Sequence, residues 1–279
     1  MESLDRLYQK VEVTNSNGKR IAIVGAEGTS KTWLALSIID AVGGPGVYFD
    51  SDFGAEEALN AKVTEGAEIY RHNIDVPKAI GVKTTFFEGG DDGKNIKQNF
   101  SELDQKACMR VYTEFREKYH AALADPRIKW VIVDTQSVIH KLRRAAHLGK
   151  LQGVKDVYYS TVNLEANEDA VAAAPEKCGG KFVIWLHHVE TYHKTGELQA
   201  DGHPACMTSA EVILWCERTE FLDPESDPAS PQRNPNFQFR VNKFRGALPL
   251  LGQVWSLYDE DTGEMNGDYD LPSLLMEAG

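Results

Sequence analysis

The sequence predicts an α/β fold: a three-layer core on a mainly parallel sheet, with an antiparallel edge near its C-terminal end. Three observations predict it. Short, continuously apolar runs alternate with helical stretches, the pattern of strands covered on both faces. The first run passes through a glycine-containing loop straight into a helix. Two late segments alternate apolar and polar residues, as an antiparallel pair does.

The elements follow in order. Arg20-Ile-Ala-Ile-Val24 reads as the first strand, and the helix that follows, 31–42, stops at Gly43-Gly44. Gly46-Val-Tyr-Phe-Asp50 reads as the second strand and Ile69-Tyr-Arg71 as a short third. A long helix is predicted over 101–124, capped by Ser101 and Asp104, with Leu103, Ala107, Val111, Phe115 and Ala122 on one face. Lys129-Trp-Val-Ile-Val-Asp134 and Lys181-Phe-Val-Ile-Trp-Leu186 are the most apolar strands. Residues 88–93, 191–204 and 223–235 read as loops, the last carrying four prolines. The alternating pair is 236–242 and 252–258.

At 279 residues, 42% hydrophobic and 26% charged, the chain has an ordinary globular composition. That excludes a mostly disordered chain, a coiled coil and a collagen. No apolar run approaches the roughly 18 residues of a membrane span, and the charged start, Met1-Glu-Ser-Leu-Asp-Arg, has no secretory character. Cys108, Cys178, Cys206 and Cys216 lack C-x-x-C spacing and read as reduced thiols of a cytoplasmic protein. A net charge of −12 argues against passive wrapping of nucleic acid but leaves room for a local basic site.

The loop after the first strand is Gly25-Ala26-Glu27-Gly28-Thr29-Ser30-Lys31-Thr32, followed by Trp33. Strand, loop and helix in this order are the setting of a phosphate-binding Walker A loop. Backbone N–H groups and the helix N-terminus face the phosphates of ATP. Lys31 supplies a point charge and the Thr32 hydroxyl joins the Mg²⁺ shell. The usual second glycine is here Ser30, a cost of about 1–2 kcal/mol if that position needs positive φ.

Four further positions complete the pattern. Asp134 ends an apolar strand about a hundred residues later and is a Walker B candidate for the metal's water shell. Asp50-Ser51-Asp52 ends the second strand; Asp52 is a candidate to activate the attacking water, and helix capping is the alternative. His188 ends the fourth long strand, where a structural histidine satisfied by backbone is one reading. Lys243 and Arg245 sit at i and i+2 of a late strand, on one side of it.

In their order, these motifs resemble the RecA/RadA superfamily of P-loop ATPases, and within it the phage RecA-like AAA type that includes single-strand annealing ATPases. The likeness covers about 18–260, with 1–17 as an N-terminal extension and 261–279 as an acidic tail. It implies a three-layer RecA-like P-loop core. Asp52 falls where the family has a glutamate base, shorter by about one C–C bond, ~1.5 Å. His188 falls where the family often has a glutamine that senses the γ-phosphate, and the resemblance implies that role for it. Lys243 and Arg245 fall where a basic pair reaches the ATP of the neighbouring subunit, which implies a homo-oligomeric ring or filament. An exposed strand face with solvated charges is the other reading of that pair.

The resemblance also implies a DNA-binding loop after each of two strands. The first, 139–155, carries Lys141, Arg143, Arg144, Lys150 and Lys155 and no acidic residue. The second, 190–209, carries Tyr192 and Lys194. Cations neutralise phosphates and an aromatic stacks on a base; a solvated amphipathic helix or a protein-binding face is the alternative. The implied function is Mg-dependent, DNA-stimulated ATP hydrolysis on single-stranded DNA in recombination or annealing, in the cytoplasm, or the host cytoplasm if phage-encoded. A ring-helicase motor core and a nucleotide-gated scaffold with weak hydrolysis are the alternatives.

Overall fold

The computed structural model describes residues 18–62, 68–76, 102–147, 155–191, 196–223, 229–245 and 248–256. In chain order they form β1 (Arg20–Gly25), α1 (Lys31–Val42), β2 (Gly46–Asp50), α2 (Ala55–Lys62), β3 (Ile69–Asn73), α3 (Glu102–Ala124), β4 (Trp130–Asp134), α4 (Gln136–His147) and α5 (Lys155–Ala172). There follow β5 (Phe182–His187), β6 (Val189–Thr191), β7 (Leu198–Ala200), α6 (Pro204–Ser209), β8 (Val212–Leu222), β9 (Arg233–Phe244) and β10 (Val254–Ser256).

Eight strands form one sheet in the order β10-β9-β8-β1-β5-β4-β2-β3. From β8 to β3 all neighbours are parallel, and β8-β9 and β9-β10 are antiparallel. The sheet is therefore mainly parallel with an antiparallel C-terminal edge, as the sequence predicts. Strand β5 stands between β1 and β4, so the ends of β1, β5, β4 and β2 lie side by side along one rim.

Alternate residues of the central strands feed two cores. Ala22, Phe49, Val131, Val133, Val183 and Trp185 face α3, α4 and α5. Ile21, Ile23, Tyr48, Trp130, Ile132, Ile184 and Leu186 face α1, with Val212, Leu214, Phe239 and Val241 joining them. Helices on both faces and a sheet between them make a three-layer α/β core. Gly46 lets β2 approach β4: a Cβ there would lie 2.0 Å from the Trp130 ring.

The expected helix 31–42 and the first five expected strands appear within two residues of their expected bounds. The buried stripe of α3 runs through Cys108, Tyr112, Phe115, Tyr119 and Ala122, at helical spacing, and Ala107 and Val111 flank it instead of leading it. The segment 191–204 is no plain loop: β7 returns antiparallel on β6 and α6 begins at Pro204. The proline-rich segment gives up Arg233–Pro235 to β9. The largest omission is β8. Its register places Gly25 opposite Cys216, and beyond that point Glu217–Leu222 pairs with β9 while β1 has already turned into its loop. Segments 1–17, 88–93 and 257–279 lie outside the described residues.

Candidate functional site

The site forms along the rim where β1, β5, β4 and β2 end. Gly25 closes β1 in tight contact: a Cβ would meet Thr29 Oγ1 at 2.5 Å and the Cys216 carbonyl at 2.7 Å. The loop then turns through two left-handed residues, Gly28 (φ 73) and Ser30 (φ 62, ψ 25). Ser30 thus takes the conformation whose cost the sequence anticipates. Its carbonyl accepts from Leu34 N at 3.0 Å, the first turn of α1. Ala26, Glu27 and Gly28 are exposed, Thr29 and Lys31 are buried, and Trp33 is half-buried.

Two side chains fold onto one carbonyl inside the loop. Lys31 Nζ donates to Ala26 O at 2.6 Å and Thr29 Oγ1 to the same oxygen at 2.7 Å. Burial pushes the Lys31 ammonium below its usual range, opposed by Cys216, Asp134, Asp52 and Glu27. A buried cation surrounded by acids and held by a single carbonyl has donor capacity left for an anionic ligand.

Asp134 lies opposite Thr32. Thr32 Oγ1 donates to Asp134 Oδ2 at 2.8 Å, and the Tyr48 hydroxyl on β2 donates to the same oxygen. Burial, the largest influence, pushes the Asp134 carboxyl up, while both hydroxyls pull it down. The Asp134–Thr135 peptide is cis. Ser51 ties the ends of β2 and β4 together: its amide and hydroxyl both donate to Asp134 O, at 2.6 and 2.9 Å, and its hydroxyl accepts from Thr135 N at 2.8 Å.

Asp50 and Asp52 separate into different environments. Asp50 is buried, pairs with Arg71 at 2.6 Å and accepts the amides of Asp52 and Phe53 at 3.1 and 2.8 Å. It holds the turn. Asp52 stands on that turn with its side chain 41% exposed, 3.4 Å from Nε2 of His188, itself 28% exposed. The backbone of His188 is fixed from two sides: its amide donates to Ser137 Oγ at 2.9 Å, and its carbonyl accepts from Asp201 N at 2.8 Å. The preceding His187 is fully buried, its Nδ1 3.1 Å from Asp201 O, and burial lowers its pKa to about 4.

The basic pair lies elsewhere. Lys243 is opposite Ile213, near the start of β8, whereas the P-loop leaves β1 level with Cys216. Three strand residues, about 10 Å, separate the two levels. Lys243 Nζ and Arg245 Nη2 both donate to Thr208 O, at 3.0 and 3.3 Å, at the end of α6. They do not face the P-loop of their own chain.

The segment after β4 is a helix, and it corrects one expectation. Arg143 is fully buried: Nε donates to the Tyr112 hydroxyl at 2.6 Å and Nη2 to Asp169 Oδ2 at 2.5 Å. It cannot reach a DNA phosphate. Acids of α5 partner two residues of this segment: Asp169 pairs with Arg143, and Glu165 lies 2.8 Å from His147 Nε2. Their distance in sequence hides the pairing. Lys141 is half-exposed and pairs with Asp201 at 2.6 Å; Arg144 is half-buried. Lys155 opens α5, and Lys150, Tyr192 and Lys194 lie outside the described residues.

Tyr48, Ser51, Arg71 and Ser137 join the site without a motif to announce them. They lie within or beside the expected strand ends, but no spacing singles out their roles.

No protein-family model and no curated protein sequence matches the chain. Solved structures do. The RadB recombinase is 14% identical over 85% of each chain, with a TM-score of 0.45. An ATPase domain is 13% identical over 90% of this chain and 84% of its own, with a TM-score of 0.39. A prototypical ATPase from the type III secretion system of pathogenic bacteria is 12% identical over 71% of this chain and 52% of its own, with a TM-score of 0.35. At these values the fold class rests on the strand order and the loop geometry described above.

Proposed function

We propose that the chain binds MgATP in the 25–32 loop and hydrolyses it. The observation that carries this is the meeting of Thr32 and Asp134 at 2.8 Å, directly beside the buried Lys31. Hard oxygen donors from a hydroxyl and a carboxylate fit a magnesium ion with its waters. Thr32 and Asp134 are the residues that hold it, and when bound it neutralises charge on the β- and γ-phosphates. The chain's own groups do the rest. Loop amides of 26–32 and Lys31 hold the triphosphate, and Asp52 and His188 face the place where its far end lies.

Lys243 and Arg245 then serve the site of a neighbouring copy, because their own P-loop lies toward the opposite end of the strands. This makes the active form a ring or filament. Single-stranded DNA is the proposed partner, contacted by Lys141, Arg144, Lys150, Lys155, Tyr192 and Lys194, with recombination or annealing as the setting. Loss of Arg143 from that set weakens the DNA part of the reading and leaves the nucleotide part intact. The decisive experiment is ATP hydrolysis with and without single-stranded DNA, beside Lys31→Ala. Turnover that rises with DNA and vanishes in the variant supports the whole reading. DNA-independent turnover keeps the ATPase and removes the partner. Nucleotide binding without turnover selects a nucleotide-gated scaffold.

A further inference from the structure

Two ionisable side chains meet on the rim and are not absorbed by phosphate or metal binding. They are Asp52, on the turn after β2, and His188, directly after β5. Their nearest atoms, Asp52 Oδ2 and His188 Nε2, are 3.4 Å apart, and both are partly exposed. Each comes from a rigid mounting. The Asp52 turn is pinned by Asp50 and Ser51, and His188 by Ser137 and Asp201. A distance of 3.4 Å is slightly longer than a formed hydrogen bond, and such contacts tighten when a substrate fills the cleft.

We infer that Asp52 and His188 act as a carboxylate–imidazole dyad, in which His188 is the general base and Asp52 fixes its tautomer. The inference rests on the nucleotide-hydrolysing reading above. Its chemistry follows from the two ring nitrogens. With Nε2–H turned to the carboxylate, the lone pair sits on Nδ1, which becomes the acceptor. The water oxygen bonds to the γ-phosphorus as the bond to the β–γ bridging oxygen breaks, and that electron pair leaves with ADP. The water proton passes to Nδ1. The imidazolium so formed is held by Asp52 and returns its proton to phosphate or solvent. An aspartate is one methylene short of a glutamate, and an imidazole between it and the water supplies the missing reach.

Titratable groups from three elements lie near the pair. Lys31 from α1 and Asp134 from β4 lie within electrostatic reach of Asp52, and His187 from β5 within reach of His188.

The test uses the full chain and four proteins: wild type, His188→Gln, Asp52→Glu, and Asp52→Glu/His188→Gln. Hydrolysis is measured at saturating MgATP with and without a single-stranded oligonucleotide, ATP and ADP affinities by equilibrium binding, and folding by thermal denaturation. A base carries roughly 10²-fold or more of the rate. The expected result is that H188Q keeps both affinities and loses about 10²-fold in kcat. The double variant, whose longer carboxylate reaches the water itself, regains at least about tenfold of that. A pure phosphate sensor gives another pattern: H188Q loses affinity for ATP relative to ADP, with no rescue by D52E, and that overturns the dyad. H188Q within a few-fold of wild type overturns it too. A wild-type protein that binds no nucleotide sinks the underlying reading instead, and one that binds without turnover removes hydrolysis and the dyad together and leaves the nucleotide-gated scaffold.

Discussion

Arg71 and Asp50 are paired across neighbouring strands, guanidinium to carboxylate at 2.6 Å, and the pair sits directly beneath the turn that presents Asp52. One carboxylate oxygen takes the arginine and the other takes two backbone amides. Asp50 therefore works as a bracket. Replacing Arg71 with alanine leaves a carboxylate that is 1% exposed without its cation. The expected loss is about 2–4 kcal/mol, somewhat below the figure for a fully buried pair because Arg71 is itself partly exposed. Urea denaturation of Arg71→Ala checks it.

Ser30 sits at φ 62 without a side-chain cap bond. Glycine adopts that conformation freely. Ser30→Gly is expected to gain about 1 kcal/mol in urea denaturation, and Ser30→Val to lose stability, since a β-branched residue is more strongly disfavoured there. Nucleotide affinity in S30G shows whether the strain matters to binding.

Tyr48 and Thr32 share one oxygen of Asp134, so removing the Tyr48 hydroxyl frees the carboxylate to rotate. Tyr48→Phe is expected to raise the magnesium concentration needed for nucleotide binding about tenfold, with binding at saturating magnesium retained. A magnesium titration of equilibrium ATP binding reads this directly.

Arg143 and Lys141 lie on one helix in opposite situations. Arg143→Ala removes a fully buried cation from Asp169, which keeps Arg116 at 2.9 Å, and is expected to cost about 2–4 kcal/mol, below the figure for a buried charge left with no partner. Lys141→Ala is expected to stay within about 0.5–1 kcal/mol of wild type, because it breaks a partly exposed pair. Thermal or urea denaturation of the two proteins side by side separates core from surface.

His187 and His140 are held neutral by burial, the first at about 4 and the second at about 2. The native pKa lies below the unfolded value near about 6.5, so protons bind the unfolded chain more readily. Stability from these residues is whole above about pH 6.5 and falls as pH drops, through about 4 for His187 and lower for His140. At its steepest each contributes about 1.4 kcal/mol per pH unit. His187→Gln is expected to flatten the urea midpoint between about pH 6.5 and 5 relative to wild type.

Much of the fold is legible in the sequence because its central strands are short, apolar and closed by turns; Trp130–Asp134 is unmistakable. β8 is not, for a physical reason. Its first half is buried beside β1 and its second half, Glu217–Leu222, continues as a polar-alternating ribbon against β9. One strand in two environments fits neither sequence pattern. The P-loop, Asp134, Asp52 and His188 are readable from order and spacing, and the structure places them on one rim. The reading of Arg143 fails because its neutralising acid lies 26 residues away, and no local pattern shows a pairing that only helix packing creates. Tyr48 is hidden as an ordinary aromatic of a buried strand.

The placement of β5 has a mechanical outcome. The strand leading to Lys31 and the strand leading to Asp134 are not neighbours, so anything gripped by both bridges a wedge, and His188 emerges from the tip of that wedge. The same residue is tied by its backbone to what lies behind the rim, its amide to Ser137 Oγ on α4 and its carbonyl to the amide of Asp201 after β7, so helix, hairpin and rim share one anchor point.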